Sequence, residues 1–142
     1  SISLPAQIDA LRQLYAGYRL HNDLLVNGFN FAEKHFKEVS NKVGYTIPVP
    51  EDVINNFGYE ALNNGNIKEA MDFFKHNIDQ NPNSANAFDS MADAYEEAGM
   101  WDEALKSSER AVELANKYGD PGLSNFIKHT NRIKEKYKPI EK

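Results

Sequence analysis

The sequence predicts an all-α fold in which antiparallel helical hairpins stack side by side. The main observation is a motif that occurs twice, because residues 64–70 (NGNIKEA) and 98–104 (AGMWDEA) share one pattern. Apolar residues recur every three or four positions through most of the chain, as one face of an α-helix requires. Breaks that contain glycine or proline separate these amphipathic runs. We therefore predict seven helices and no strand.

Composition limits the kinds of function that we expect. The 142 residues are enough for one compact domain, and the net charge of -5 argues against a broad nucleic-acid surface. There is no run of about 18 apolar residues, so we expect no membrane span. There is no cysteine, which excludes disulfides and a thiol nucleophile. The chain begins at Ser1 without a methionine, which we interpret as a processed product or a fragment.

The N-terminal part is predicted to form two helices. Apolar spacing indicates a first helix from Pro5 to about Arg19 and a second from about Asp23 to Lys42, which Gly44 ends. Two prolines then favour an extended connector. We divide the chain at this connector into a helical junction segment, residues 1–48, and a repeat domain, residues 49–142.

The repeat domain is predicted to contain four repeat helices and a C-terminal capping helix. The four run from about Glu51 to Asn63, Ile67 to Gln80, Ser84 to Ala98, and Trp101 to Lys117. From Pro121 onward a narrow apolar face is surrounded by basic residues. Terminal repeats need one polar side, and we therefore interpret this segment as the cap.

The repeated motif resembles the tetratricopeptide repeat (TPR), a helix-turn-helix unit with a period of about 34 residues, which is also the offset between the two copies here. The pattern falls on Ile54, Phe57, Gly58, Ala61, Ala70, Phe74 and Pro82 in the first copy, and on Phe88, Met91, Ala92, Tyr95, Ala104 and Ser108 in the second. Small residues at Gly58/Ala92 and Ala70/Ala104 would let two helix backbones approach closely. The departures from the pattern are Ala61 in place of tyrosine, Ser108 in place of phenylalanine, and the late Pro121. They predict a longer second helix in copy two.

Two full repeats are fewer than the three or so that a self-sufficient stack needs. The flanking helices must therefore complete the core, or a second copy of the chain must do so as a homodimer. The resemblance implies a domain that contacts proteins, with no cofactor.

A second resemblance covers most of the chain and concerns bacterial putative esterases of the α/β-hydrolase type. It rests on the stretches SLP at 3–5, IDALRQLY at 8–15 and GY at 17–18, on HF, VS and GY between 35 and 45, and on PE and N–GY between 50 and 59. The resemblance implies that the chain is the TPR-containing C-terminal part of a longer hydrolase, in the bacterial cytoplasm or periplasm. The family's Gly-x-Ser-x-Gly nucleophile motif is absent, so no catalytic residue carries over.

Candidate chemistry within the chain is sparse. None of the four histidines has the three- or four-residue spacing to another that a helical metal site needs, and we assign them structural roles. No serine lies in a readable nucleophile–base–acid arrangement. We therefore expect no metal and no catalysis by this chain alone, and an accessory or interaction domain is the function that the sequence favours. The alternative is an independent TPR scaffold that binds a partner peptide.

The first helix of each repeat should line a concave groove. Its outward positions are Asn55, Tyr59, Leu62 and Asn63 in the first copy, and Asp89, Asp93, Glu96 and Glu97 in the second. TPR proteins that grip chaperone C-termini place lysine, arginine and asparagine there, whereas this sequence places acids. A groove ligand would then be neutral, polar or basic. The interpretation that we favour is that these acids are only a solvated helix face.

Trp101 begins a helix directly after a turn. We predict that its ring packs across the hairpin and anchors the entry of that helix; an exposed aromatic contact is the alternative.

Overall fold

The computed structural model describes residues 26–137, and in these residues all the regular structure is helical. The six helices are α1 (Phe29–Val43), α2 (Glu51–Asn63), α3 (Ile67–Gln80), α4 (Ala85–Glu97), α5 (Trp101–Tyr118) and α6 (Leu123–Lys136). The predicted all-α fold is confirmed. The predicted first helix, from Pro5 to about Arg19, lies outside the described residues. None of the helices in the described part of the chain combines the length and the apolarity that crossing a membrane requires.

The predicted second helix is wrong at its start. We expected one helix from about Asp23 to Lys42, but Gly28 interrupts it and α1 begins at Phe29. Gly28 has a φ of 85°, in the left-handed region that only glycine enters at little cost. The apolar spacing continues across this break, which is why periodicity alone did not reveal it.

The chain divides into two compact units, Ser1–Phe57 and Gly58–Lys142. In the first unit, α1 buries Ala32, Phe36, Val39 and Val43 on one face. The connector after α1 is fixed by Ser40, whose hydroxyl oxygen accepts from the Ile47 backbone N–H at 2.8 Å. The same hydroxyl lies 2.7 Å from the Phe36 carbonyl, to which it donates.

The helical hairpins follow the repeat period. Helices α2 and α4 begin at Glu51 and Ala85, and α3 and α5 begin at Ile67 and Trp101, so both pairs of starts are separated by the same interval as the sequence motif. Helix α5 has 18 residues and α3 has 14. The longer second helix predicted for copy two is therefore confirmed.

Small residues bring neighbouring helices of the second unit close together. A Cβ placed on Gly58 would overlap the ring of Phe74, which is fully buried on α3. Phe74 belongs to a core cluster with Ala61, Ala70, Met91 and Ala94. The prediction that glycine and alanine positions permit close approach is thus confirmed at Gly58.

Trp101 packs where we predicted. It lies half-buried against the core cluster of Ala92, Ala104 and Ile133, which joins α4, α5 and α6. The ring therefore anchors the start of α5 against the capping helix as well as across its own hairpin.

Candidate functional site

The sequence-predicted groove residues do not form one solvated surface. Asn63 and Glu97 are exposed, whereas Leu62 packs against the core. Asn55 lies in the other compact unit, half-buried. The remaining four, Tyr59, Asp89, Asp93 and Glu96, come together around a histidine that the groove prediction did not include.

This histidine is His129 on α6. Its Nδ1 atom lies 2.6 Å from Oδ1 of Asp89, and its Nε2 atom lies 2.7 Å from Oε1 of Glu96. The Oδ1 atom of Asp93 is 3.3 Å from Nε2. We call His129, Asp89, Asp93 and Glu96 the histidine cluster. All three carboxylates come from α4, at a spacing of four and three residues that places them on one helix face.

The cluster is largely removed from solvent. The side chain of His129 is 10% exposed and that of Glu96 is 9% exposed, while Asp89 and Asp93 retain 20% and 31%. The interpretation of the α4 acids as a solvated helix face is therefore wrong for Asp89, Asp93 and Glu96, whereas Glu97 is exposed. It fails because α6 packs over α4 and brings cationic groups with it.

Two further basic residues of α6 contact the carboxylate of Glu96. Nη2 of Arg132 donates to Oε1 at 2.8 Å, and Nζ of Lys136 lies 3.7 Å from Oε2. Burial raises the pKa of the Glu96 carboxyl, but the hydrogen bonds from His129 and Arg132 outweigh it, and the net pKa is lowered. Glu96 is thus held in its charged form.

Asp93 has a partner from the first repeat. The hydroxyl of Tyr59 donates to its Oδ2 atom at 2.6 Å. The two residues are 34 positions apart, so they occupy equivalent places on α2 and α4. Burial raises the pKa of Asp93, although the Tyr59 hydrogen bond and the His129 charge oppose that rise. Burial and then the Asp93 charge raise the pKa of Tyr59, which keeps its hydroxyl a donor.

The pKa of His129 is raised from 6.5 to about 9. The hydrogen bond to Asp89 is the largest cause, burial opposes it, and the bond to Glu96 adds to the rise. Since imidazolium donates from both nitrogens, the protonated ring matches the two short contacts. The cluster at neutral pH is a buried cation surrounded by three carboxylates.

The arrangement also has the spacing of a metal site. One ligand atom from each of Asp93, Glu96 and His129 lies within 4.8 Å of the others. However, three carboxylates face three cationic side chains, those of His129, Arg132 and Lys136, so the protein balances the charge of the cluster with its own side chains. What this arrangement does chemically is to hold α6 against α4.

His129 could have been found from the repeat register. When the start of α6 at Leu123 is aligned with the start of α4 at Ala85, Phe126 matches Phe88 and His129 matches Met91. A fixed repeat period does not predict this match, because α5 is longer than α3 and this moves α6 out of register. A histidine in a position that is apolar in the preceding copy is the signal that identifies the cluster.

The comparisons with known proteins add no assignment. No model of a known protein family matches the chain, and no curated protein matches it either.

Proposed function

We propose that the chain is a non-catalytic domain of the tetratricopeptide type, which forms the C-terminal part of an esterase-like hydrolase and mediates protein contacts within or between chains. The observation that supports it best is the register of the helices, because the starts of α2 and α4, and likewise those of α3 and α5, are one repeat period apart. Stacked hairpins of this kind provide extended binding surfaces.

Several hydroxyl and imidazole groups in the described residues are engaged in structural contacts. The hydroxyls of Ser107 and Ser108 donate to backbone carbonyls, and that of Ser84 accepts from the first turn of α4. The ring nitrogens of His129 are both bonded to carboxylates, so neither is placed to accept a proton from a nucleophile. An assay of the purified chain with an activated ester should give the rate of the buffer blank. Turnover above the blank that a His129→Met substitution abolishes would refute a non-catalytic role.

The contacts of the histidine cluster restrict the charge of a ligand that could bind to the α4 face. Glu97 at the end of α4 stays exposed, whereas Asp89, Asp93 and Glu96 already have cationic partners. A peptide that binds there would be neutral, polar or basic, because an acidic one would meet Glu97 and the residual charge of the cluster. We expect titration calorimetry with matched basic and acidic peptides to favour the basic one. Tighter binding of the acidic peptide would contradict this proposal.

A separate test addresses the proposal that the chain is the C-terminal part of a hydrolase. The coding sequence upstream of Ser1 should contain a Gly-x-Ser-x-Gly motif and a histidine just before Ser1. The upstream part, purified separately, should bind the 142-residue chain in size-exclusion chromatography. An upstream sequence without the motif would refute the hydrolase part of the proposal and leave the interaction role.

An independent scaffold that binds a partner peptide is the second candidate. It is favoured by the outer face of α6, where Lys128, Asn131, Arg132 and Glu135 are exposed and would end a stack in water. This candidate predicts a native start near Ser1 and binding of a partner peptide by the isolated chain.

A further inference from the structure

The contacts of His129 impose a requirement on its protonation. Both ring nitrogens lie within 2.7 Å of carboxylate oxygens, Nδ1 with Asp89 and Nε2 with Glu96. An ionised carboxylate only accepts hydrogen bonds, and a neutral imidazole has one N–H to donate. A neutral ring would therefore turn a lone pair toward one of the two carboxylates. Only the doubly protonated ring satisfies both contacts.

The charged or titratable groups of the cluster come from α2, α4 and α6, and a further ion pair joins α6 to α5. Helix α4 provides the three carboxylates, and α2 provides Tyr59, which donates to Asp93. Helix α6 itself adds Arg132 and Lys136, both directed at Glu96. Helix α5 adds Glu109, which pairs with Lys134 at 2.9 Å. Within this set His129 is the base that contacts all three carboxylates.

The position of His129 also matters for docking. It lies one turn from Phe126 and Ile133, which bury the apolar side of α6. Ile133 packs with Ala92 of α4 and Ala104 of α5. The cluster and this apolar contact therefore hold the same helix. If the cluster were weakened, α6 would be held by its apolar contacts and by the Lys134–Glu109 pair.

We propose that α6 is a pH-dependent cap, which is held on α4 while His129 carries both ring protons and loosens when alkaline conditions remove one of them. Loosening would expose the apolar surface of α4 and α5 that α6 covers. The cap would be closed at neutral and mildly acidic pH.

The direction of the effect follows from linkage. The pKa of His129 is about 9 in the folded chain and 6.5 as an ordinary side chain, so the stabilisation is complete below pH 6.5 and is lost as pH rises from 6.5 through 9. The pKa of Glu96 is lowered by its hydrogen bonds to His129 and Arg132, which keeps it away from this window, whereas burial raises the pKa of Asp93.

The chain contains a fluorescent reporter for the undocking of α6. Trp101 is its single tryptophan, and it packs against the cluster that includes Ile133 of α6. Urea titrations followed by Trp101 fluorescence should be made at pH 6 and pH 9. We expect the equilibrium constant for undocking to rise by ~10-fold or more between the two, after allowance for solvent screening of a partly exposed cluster. Equal urea midpoints at the two pH values would overturn the proposal.

Two variants separate the cluster from general alkaline effects. His129→Met introduces the residue that α4 carries at the matching position, and its urea midpoint should be the same at pH 6 and pH 9. His76→Met, which changes a histidine outside the cluster, should keep the wild-type pH dependence. If His129→Met keeps that dependence as well, the proposal is wrong.

A third variant applies if His129→Met does not fold. Glu96→Gln replaces a carboxylate by an amide, which can donate to or accept from the ring, so a neutral His129 would have two partners. The loss of stability should still begin near pH 6.5, but it should end at a lower pH than in the wild type and be smaller, because the substitution removes one of the contacts that raise the pKa of the folded ring. An unchanged pH profile in Glu96→Gln would count against the proposal.

Discussion

Gly58 is a residue whose absent side chain decides how two helices pack. It lies inside α2, where alanine is ordinarily the better residue by about 0.5–1 kcal/mol. Here a Cβ would overlap the Phe74 ring. Phe74 is fully buried, so its ring cannot move aside into solvent. The steric effect should therefore exceed the gain in helix propensity.

We predict that Gly58→Ala destabilises the chain by about 1–3 kcal/mol, the usual range for overpacking. Urea unfolding followed by circular dichroism measures it. The double variant Gly58→Ala with Phe74→Leu should recover part of the loss, because leucine removes the ring atoms that a Cβ would meet. A stabilising Gly58→Ala would show that the backbones are farther apart than described.

Tyr59 opposes the rise that burial causes in the pKa of Asp93, through one hydrogen bond. Tyr59→Phe removes the donor at 2.6 Å, and because that bond lowers the pKa of Asp93, the pKa should rise further from its already raised value. Leaving the carboxylate oxygen without this donor should cost about 1–2 kcal/mol of stability. NMR titration of the Asp93 carboxyl carbon tests the first effect.

The matched control for Tyr59→Phe is Tyr45→Phe, since Tyr45 is 50% exposed and lies in the other compact unit. It should leave the Asp93 titration unchanged. An Asp93 pKa that does not move in Tyr59→Phe would contradict the hydrogen bond.

The start of α4 is fixed by a local contact, and the start of α5 is fixed by tertiary packing. Ser84 begins α4 as its N-cap, with its side-chain oxygen accepting from the Ala87 N–H at 3.2 Å. Trp101 begins α5 by packing on Ala104 and on Ile133 of α6. The first contact is local, whereas the second joins helices.

At the start of α4, we predict that Ser84→Ala destabilises the chain by about 1 kcal/mol, because an orphan N–H of the first turn loses its acceptor. Thermal or urea unfolding measures it. Ser84→Asp, which retains an acceptor at the cap, should keep most of the stability. Equal losses in the two variants would show that the cap is not the cause.

At the start of α5, Trp101→Ala should cost about 2 kcal/mol, less than the roughly 3 kcal/mol or more of a fully buried ring, because Trp101 is half-buried. Urea unfolding followed by far-ultraviolet circular dichroism measures it. Met100→Ala, at a neighbouring exposed side chain, is the control and should stay within about 0.5 kcal/mol. A Trp101→Ala loss in that same small range would show that the ring does not anchor α5.

The repeat helices could be predicted from the sequence almost to the residue. The predicted bounds of α2 and α3 agree with the structure, and those of α4 and α5 differ by no more than one residue at either end. Here hydrophobic periodicity, glycine breaks and the repeated motif indicate the same boundaries. The break at Gly28 escaped prediction because apolar spacing continues through it and only the backbone conformation reveals it.

Part of the histidine cluster could be predicted from the sequence. The carboxylates of α4 and Tyr59 of α2 were found because the repeat register places them on one face. Their pairing with His129 was not found, since it depends on α5 being longer than α3, which shifts α6 out of the repeat period. A contact between residues as distant in sequence as His129 and Asp89 follows from this packing and not from local pattern.

At the scale of the molecule, the second compact unit is a set of stacked helices that its terminal helix, α6, closes through a charge cluster. The apolar core holds the hairpins together, and the cluster adds a pH-dependent contribution at one end. Under the proposed function, partners would bind on the helix faces while the ionisable groups of the histidine cluster remain engaged in holding the cap.

The measurement that tests this account most directly is a crystal structure of the 142-residue chain at about pH 6. It should show residues 58–80 superposing on residues 92–114 position for position, and the His129 ring within hydrogen-bond distance of both Asp89 and Glu96. Hairpins that fail to superpose at that shift, or a His129 ring turned into solvent, would contradict it.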